Sequence, residues 1–277
     1  MLTGAAKLAG VIGWPVAHSR SPRLHGHWIA RHGLDAAYLP LAVEPGNFPV
    51  AVRGLLASGF RGANVTIPHK EAAFAACDSV TDRARRAGAV NTLVFDRGRI
   101  EGDNTDGWGF VENLRQHGAD PVAGPALILG AGGSARAIAA ALAEAGAQVT
   151  LANRTRARAE ALAAELPGLG VIDWDRRSAA VADHALLVNT TSQGMKGQGA
   201  LEIDLSAAPA AMSVADIVYV PLETPLLAAA AAHGLRAVDG LGMLLHQARA
   251  GFHAWFGVDP VVDDALRDFV AGDIPGR

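Results

Sequence analysis

The chain has 277 residues, half of them apolar, a formal net charge of −3 and a single cysteine, Cys77. That length suits two domains or one large one, and so apolar a composition supplies a core and excludes wholesale disorder. The near-balanced charge argues against nucleic acid as a main partner, the lone cysteine excludes an intrachain disulfide, and no apolar run approaches the ~18 residues of a membrane span.

In chain order, Met1 to Gly10 carries one lysine and no leader-like apolar run, so a soluble cytoplasmic protein is expected. Leu8–Gly13 reads as a first strand, followed by a polar loop and a helix over Pro22–His32. Ser19 and Ser21 flank Arg20 just before Pro22. In an extended segment residues two apart point the same way, so both hydroxyls can converge on one ligand group. Ser21 can equally be a helix cap with Pro22 at N1. Ala37–Leu41 and Gly62–Thr66 are expected strands with a helix between them, and Asn64 and Thr66 repeat the two-apart geometry. Lys70 follows after a proline-broken turn. It stands out because Lys7, Lys70 and Lys196 are the only lysines beside 21 arginines. Where any cation would serve this chain uses Arg, and an ammonium, unlike a guanidinium, can give up its proton. His69 can face the same site or serve local structure.

Arg83-Ala84-Arg85-Arg86 reads as a solvated helix face. His25 and His27, two apart on a helix, do not share a face as metal ligands, and no His/Cys/Asp grouping has zinc spacing. A hairpin-like stretch from Asn91 to Asn104 turns at Asp96-Arg97-Gly98. Asn91, Asp103, Asn104, Thr105 and Asp106 form a polar group larger than a turn needs. Asp106 suits a domain crevice or a plain helix cap, and the domain boundary is set just after it. A second series then begins, with strands expected at Ala126–Leu129, Val149–Asn153, Gly170–Asp173, Leu186–Thr190, Val214–Val218 and Ala237–Asp239, and helices in the gaps. Two more helices, Met243–Trp255 and Val261–Ala271, could pack back on the first domain. The alternation is that of an α/β protein with parallel sheets.

Gly130-Ala131-Gly132-Gly133-Ser134-Ala135 follows a strand and opens an Ala-rich helix, which is G-x-G-x-x-A in its confirming context. Gly130 allows the tight turn, Gly132 lets the backbone approach a pyrophosphate and Ala135 lets helix and strand pack closely. The helix N-terminus offers N–H groups to the phosphates. An NAD site usually carries an acid at the end of the next strand. Here that position reads Asn153-Arg154-Thr155-Arg156-Ala157-Arg158, with no carboxylate and with cations suited to a 2′-phosphate. Arg154 and Arg158, four apart, share a face if the helix has begun. NADP is the expected cofactor. Lys70 and Asp106 are then a coherent pair for ketone reduction, in which an ammonium beside a carboxylate delivers a proton to oxygen and takes it back in reverse.

Taken in order, these segments resemble the shikimate dehydrogenase family over nearly the whole chain. The landmarks are Gly10-Val11-Ile12-Gly13, Ser19-Arg20-Ser21-Pro22, Asn64 to Lys70, Gly88-Ala89-Val90-Asn91-Thr92, Asp103-Asn104-Thr105-Asp106-Gly107, Gly130 to Gly133 and Asn153-Arg154-Thr155. They continue through Asn189-Thr190-Thr191-Ser192, Asp216-Ile217-Val218-Tyr219, Thr224-Pro225 and Asp239 to Gln247. The resemblance implies NADP-dependent, reversible reduction of 3-dehydroshikimate to shikimate, an oxidoreductase step of chorismate and aromatic amino-acid biosynthesis. It implies an α/β substrate domain, 1–106 plus 241–277, a Rossmann NADP domain, 107–240, and a cleft between them. It puts the substrate carboxylate on Ser19, Ser21 and Tyr219, and the ring hydroxyls on Asn64, Thr66, Lys70, Asn91, Asp106 and Gln247. Lys70 becomes the acid/base, supported by Asp106. Thr190, Ile217, Gly240 and Met243 line the nicotinamide side, and Asp82 matches a position sometimes given to the cofactor. The small-molecule substrate is the implied partner, with a monomer or homodimer as the assembly. Two residues depart from the family pattern: His69 stands where an aromatic such as Phe is common, and Trp14 where Asn is. A quinate dehydrogenase of broader range is the nearest rival; quinate-preferring relatives often favour NAD and carry a threonine in the serine pair, and Ser21 and the arginines lean the other way. A noncatalytic NADP-binding regulator would be expected to lose Lys70 or Asp106, and both are kept.

Overall fold

A computed structural model describes residues 2–274. The chain forms two compact units, one running to Thr105 and resumed at Gln247–Gly272, the other covering Asp106–His246.

The first unit contains β1 (Lys7–Gly13), α1 (Ser21–Arg31), β2 (Ala36–Ala42), α2 (Phe48–Ala57), β3 (Gly62–Val65), α3 (Lys70–Ala76), β4 (Ser79–Val80), α4 (Asp82–Ala87), β5 (Thr92–Asp96) and β6 (Arg99–Asp103). Its sheet runs β2-β1-β3-β5-β6-β4. β1 is buried from its third residue onward and pairs in parallel with β2 and β3, as a central strand covered on both faces should. The sheet is mixed, however, because β5 pairs antiparallel with both β3 and β6. The hairpin turn explains this: Arg97 at φ 47° and Gly98 at φ 78° both take the left-handed backbone that a two-residue hairpin requires.

The second unit holds α5 (Asp106–Gln116), β7 (Ala126–Leu129), α6 (Gly133–Ala145), β8 (Val149–Ala152), α7 (Arg156–Glu165), β9 (Gly170–Ile172), α8 (Arg177–Ala180), β10 (Leu186–Asn189), β11 (Ser213–Asp216), α9 (Pro225–Ala232) and β12 (Arg236–Val238). The sheet order is β12-β11-β10-β7-β8-β9 with every pairing parallel. The chain winds outward from β7 through β8 to β9, then returns to lay β10 on the other side of β7. This is the doubly wound Rossmann order, whose reversal point beside β7 is where dinucleotides bind.

The last helices are α10 (Gly240–Phe256) and α11 (Asp264–Ala271). The division between units falls inside α10, between His246 and Gln247, and α11 lies in the first unit. In that unit Trp255 Nε1 donates to the Leu93 carbonyl at 2.9 Å. The approach requires Gly62, since a Cβ there would stand 2.0 Å from Leu93 O and 2.2 Å from the indole nitrogen. Among the described residues no helix is long and apolar enough to cross a membrane.

Candidate active site

In the first unit the polar residues singled out in the sequence lie around the ends of β3, β5 and β6. Asn64, on β3, accepts from Tyr38 Oη at 2.6 Å and donates to the Asn91 carbonyl and to Thr92 Oγ1, both at 3.2 Å. Thr92 Oγ1 in turn donates to Asn91 Oδ1 at 2.9 Å. Asn91 Nδ2 donates to Thr105 Oγ1 at 3.0 Å and to Gln247 Oε1 at 3.2 Å. Thr105 closes the loop by donating its backbone N–H to Asn91 Oδ1 at 2.9 Å. Tyr38, Asn64, Thr92, Asn91, Thr105 and Gln247 therefore form one continuous buried network. In a low-dielectric setting such a network fixes each amide in a single orientation.

Around this network stand Ser19, Ser21, Thr66 and Lys70. The serines do not lie on an extended segment: Arg20 between them is helical, at φ −92° and ψ −4°. Ser21 is the first residue of α1, not its cap. Its backbone N–H donates to Ser19 Oγ at 3.3 Å. Thr66 lies one residue beyond β3, and its hydroxyl has no partner among the described residues. Lys70 is half-buried and opens α3, its carbonyl accepting from Val90 N at 2.9 Å. His69 serves local structure: its ring is buried, stacks 4.8 Å from Phe48 and bonds through Nε2 to the Val43 carbonyl at 2.7 Å. Stacking against Phe48 is work an aromatic residue at this position would also do.

In the second unit, Gly130 ends β7 at φ 113°, and a Cβ there would sit 2.4 Å from Thr190 Oγ1. Thr190 Oγ1 donates to the Leu129 carbonyl at 2.7 Å, tying the loop after β10 to the end of β7. Ala131 and Ala135 pack against the core, with Ala135 fully buried on the inner face of α6. Gly132 caps α6 without a side-chain hydrogen bond, and the first turn, which includes Gly133 and Ser134, contains no acid. Asn153 Nδ2 donates to the Thr155 carbonyl at 2.8 Å, fixing the turn after β8. α7 begins only at Arg156, with Thr155 at its cap, so Arg154 precedes the helix and shares no helical face with Arg158. The three arginines divide by partner. Arg156 bonds to Glu160 and Asp173, each at 2.7 Å, whereas Arg154 and Arg158 have no carboxylate partner among the described residues.

The loops after β10 and β11 are held by a buried carboxylate that the sequence reading passed over. Asp216 accepts from Asn189 Nδ2 at 3.0 Å, Val218 N at 3.0 Å and Thr224 Oγ1 at 2.8 Å. Burial pushes its pKa up against the pull of those three donors. The knot positions Ile217, whose N–H bonds the Asn189 carbonyl, and Tyr219 two residues on. Gly240 opens α10, and a Cβ there would meet Ile217 O at 2.2 Å. Met243 packs into the core with Ile128, Ala135 and Val238.

Residues 11–93 match the family described as shikimate dehydrogenase substrate binding domain, and residues 117–219 match shikimate / quinate 5-dehydrogenase. A shikimate dehydrogenase (NADP(+)) of Acidiphilium cryptum is 68% identical over 276 residues, covering all of both chains. The chain belongs to the shikimate dehydrogenase family. A second relative, the shikimate dehydrogenase (NADP(+)) of Rhodospirillum rubrum, is 58% identical over 98% of this chain and 99% of its own. The crystal structure of the Thermus thermophilus shikimate 5-dehydrogenase in complex with NADP(H) and shikimate superposes with a TM-score of 0.87 at 39% identity, over 96% of this chain and 98% of that one.

Within this shikimate dehydrogenase fold the expected residues divide between the units. Ser19, Ser21, Asn64, Thr66, Lys70, Asn91 and Gln247 belong to the first; Asp106, Tyr219, Thr190, Ile217, Gly240, Met243 and the Gly130 loop belong to the second. Asp82 lies in the first unit, at the start of α4, in an ion pair with Arg85. Asp103 is held by Arg83 and by Thr81 Oγ1, and Asn104 Nδ2 donates to Ala89 O at 3.0 Å, so both belong to the scaffold. Arg83 is thus a structural cation, not part of a solvated face. Tyr38, Thr92 and Asp216 are the polar residues that sequence reasoning missed. Thr92 and Asp216 lie inside family landmarks; Tyr38 shows only the alternation of a strand.

Proposed function

We propose that this chain catalyses the NADP-dependent, reversible reduction of 3-dehydroshikimate to shikimate. The observation that carries the cofactor half is the combination of an uncapped α6 N-terminus behind Gly130 with two arginines that lack carboxylate partners just beyond β8. A Cβ at Gly132 or Gly133 would meet nothing within 4 Å, which leaves open space where phosphates would approach the main chain. Helix N–H groups and paired cations in that position fit a dinucleotide bearing a 2′-phosphate, and the absence of an acid after β8 removes the group that would repel it. Gly130, Ala131, Gly132, Gly133, Ser134 and Ala135 would hold the pyrophosphate region. Asn153, Arg154, Thr155 and Arg158 would hold the adenosine phosphate, with Thr190, Ile217, Gly240 and Met243 at the nicotinamide end.

Bound NADPH supplies a hydride to the substrate's carbonyl carbon. Ser19, Ser21 and Tyr219 would hold the ring carboxylate with hydroxyl donors. Asn91 and Gln247, locked by their shared hydrogen bonds, would present fixed amides to the ring hydroxyls beside Thr66. Lys70 would donate a proton from Nζ to the oxygen of the carbonyl being reduced and take that proton back when shikimate is oxidised. Asp106 would favour the charged form of that ammonium through its carboxylate. Such general acid/base work contributes typically ~10²–10⁴-fold. The reading carries a small-molecule substrate, a cytoplasmic enzyme and a monomer or homodimer. A second reading, an enzyme that also takes quinate, is favoured by the match of residues 117–219 to a family described by both substrates. Initial rates with shikimate and quinate, each with NADP and NAD, separate the two. The expected result is fastest turnover with shikimate and NADP, and a preference for quinate with NAD would overturn the proposal.

A further inference from the structure

Trp14 and His69, the two residues that depart from the family pattern, belong to one closed circuit of hydrogen bonds. His69 Nε2 lies 2.7 Å from the Val43 carbonyl. A carbonyl can only accept, so that nitrogen carries the proton. Val43 N–H donates to Gly13 O at 3.2 Å, and Trp14 N–H, next in the chain, donates to Ile67 O at 3.1 Å. From Ile67 the chain leads through Pro68 back to His69, and the circuit closes across the C-terminal ends of β1, β2 and β3. Thr66, one residue before Ile67, is held against this circuit at three points. Its N–H donates to Ile12 O and its carbonyl accepts from His69 N–H, both at 2.9 Å. Its methyl group faces Gly13, where a Cβ would stand 2.6 Å from Thr66 Cγ2. A β-branched side chain has few χ1 choices, so seating the methyl also sets the direction of the hydroxyl. The His69 ring itself is buried and stacked on Phe48. A Phe in its place would keep that stack and lose the bond to Val43.

We propose that His69 is a positioning residue for the substrate, which through Val43 and Gly13 fixes the Thr66 hydroxyl in the direction that meets a ring hydroxyl. The proposal rests on the shikimate reading above, in which Thr66 contacts the ring. The imidazole combines a stacking face with a hydrogen-bond donor, and only the donor closes the circuit that seats the Thr66 methyl. Lys70, the next residue, is held separately by the bond from Val90 N to its carbonyl, so the effect falls on binding and not on proton transfer. Loss of one neutral hydrogen bond corresponds to about a fivefold change in binding.

The test uses full-length wild type, His69→Phe, His69→Gln, Thr66→Val and the double variant His69→Phe with Thr66→Val. Gln can bring its amide nitrogen to the place of Nε2, so it keeps the donor and gives up the stack. Kinetics are read with shikimate and NADP, and shikimate Kd by titration calorimetry. His69→Phe is expected to raise shikimate KM and Kd about fivefold, with kcat within about threefold and the KM for NADP within about twofold. His69→Gln should bring shikimate binding back to within about twofold of wild type. In the Thr66→Val background the His69→Phe step should shrink below about twofold, because the hydroxyl that His69 positions is gone. This cycle decides the matter even where His69→Gln folds poorly. A His69→Phe enzyme that binds shikimate like wild type would overturn the proposal. So would an undiminished fivefold step in the Thr66→Val background, a folded His69→Gln enzyme as weak as His69→Phe, or a loss falling on kcat or on NADP. Wild type without activity on shikimate would overturn the substrate reading itself, and that result is visible before any variant is compared.

Discussion

Asn64, Asn91 and Gln247 reach their positions in the first unit by bonding to one another and to Tyr38, Thr92 and Thr105, so that each buried amide is committed before a ligand arrives. The second unit offers main chain at Gly130 to Gly133 and two long cations, Arg154 and Arg158, standing in solvent. A small rigid ring with several stereocentres rewards a preformed lattice of fixed donors and acceptors, because misplacement by an ångström loses the hydrogen bond. A long dinucleotide is anchored at separate points along its length, and each anchor can be built and lost separately. Substitutions should therefore act in concert in the first unit and additively in the second.

The strongest way to break the comparison is at Lys70, the residue whose chemistry has no substitute in either unit. Lys70→Ala should lower kcat by ~10²–10⁴ with a much smaller change in shikimate KM. Near-normal turnover would remove the proton-transfer role. Next comes the independence of the cofactor anchors. Arg154→Ala and Arg158→Ala are each expected to raise the KM for NADP about tenfold, and the double variant about a hundredfold, because each charge-assisted bond is worth ~1.5–3 kcal/mol. Shikimate KM should stay within about twofold throughout. An NADP/NAD preference unchanged in the double variant would place the 2′-phosphate elsewhere.

The smallest effect concerns stability. Burial pushes the His25 pKa down to about 3, with Asn64 nearby offsetting a little of it. In the unfolded chain the imidazole has its ordinary value of about 6.5 and binds a proton as the pH falls, while the folded protein excludes that proton until near pH 3. The unfolded state thus holds more protons across this window. The contribution of His25 is complete above pH 6.5 and is lost progressively below it, by about 2 kcal/mol at pH 5. Urea midpoints measured from pH 8 to pH 5 should fall in the wild type and fall less steeply in His25→Phe. Parallel slopes would show that other groups carry the acid sensitivity.

Much of the architecture was legible because its signals are local. The strand–glycine–helix run at Ala126 to Ala135 and the missing acid after β8 are set by backbone sterics and charge, and both can be read from adjacent residues. The expected shared face of Arg154 and Arg158 failed because Thr155 caps α7, and periodicity fixes a helix start only to within a few residues. The serine pair failed in the same way: α1 begins at Ser21, so the segment is not extended. The role of Tyr38 was not legible at all. Its bond to Asn64 joins residues 26 apart, a pairing created by β1 lying between β2 and β3. Asp216 was passed over for a related reason: Val218 and Thr224 follow it in the chain, but Asn189 comes from β10, brought beside β11 only by the sheet order.

The first unit is assembled from two stretches of chain that are synthesised far apart in time. The amide partner of Asn91 is Gln247, 156 residues later, and the indole that seats on Gly62 and Leu93 arrives with Trp255. A ribosome therefore releases every strand of the substrate half well before the helix that completes it, with the whole Rossmann sheet emerging in the interval. Nascent chains ending before Gln247 would carry every strand of both sheets but neither the amide partner of Asn91 nor the indole that seats on Gly62 and Leu93.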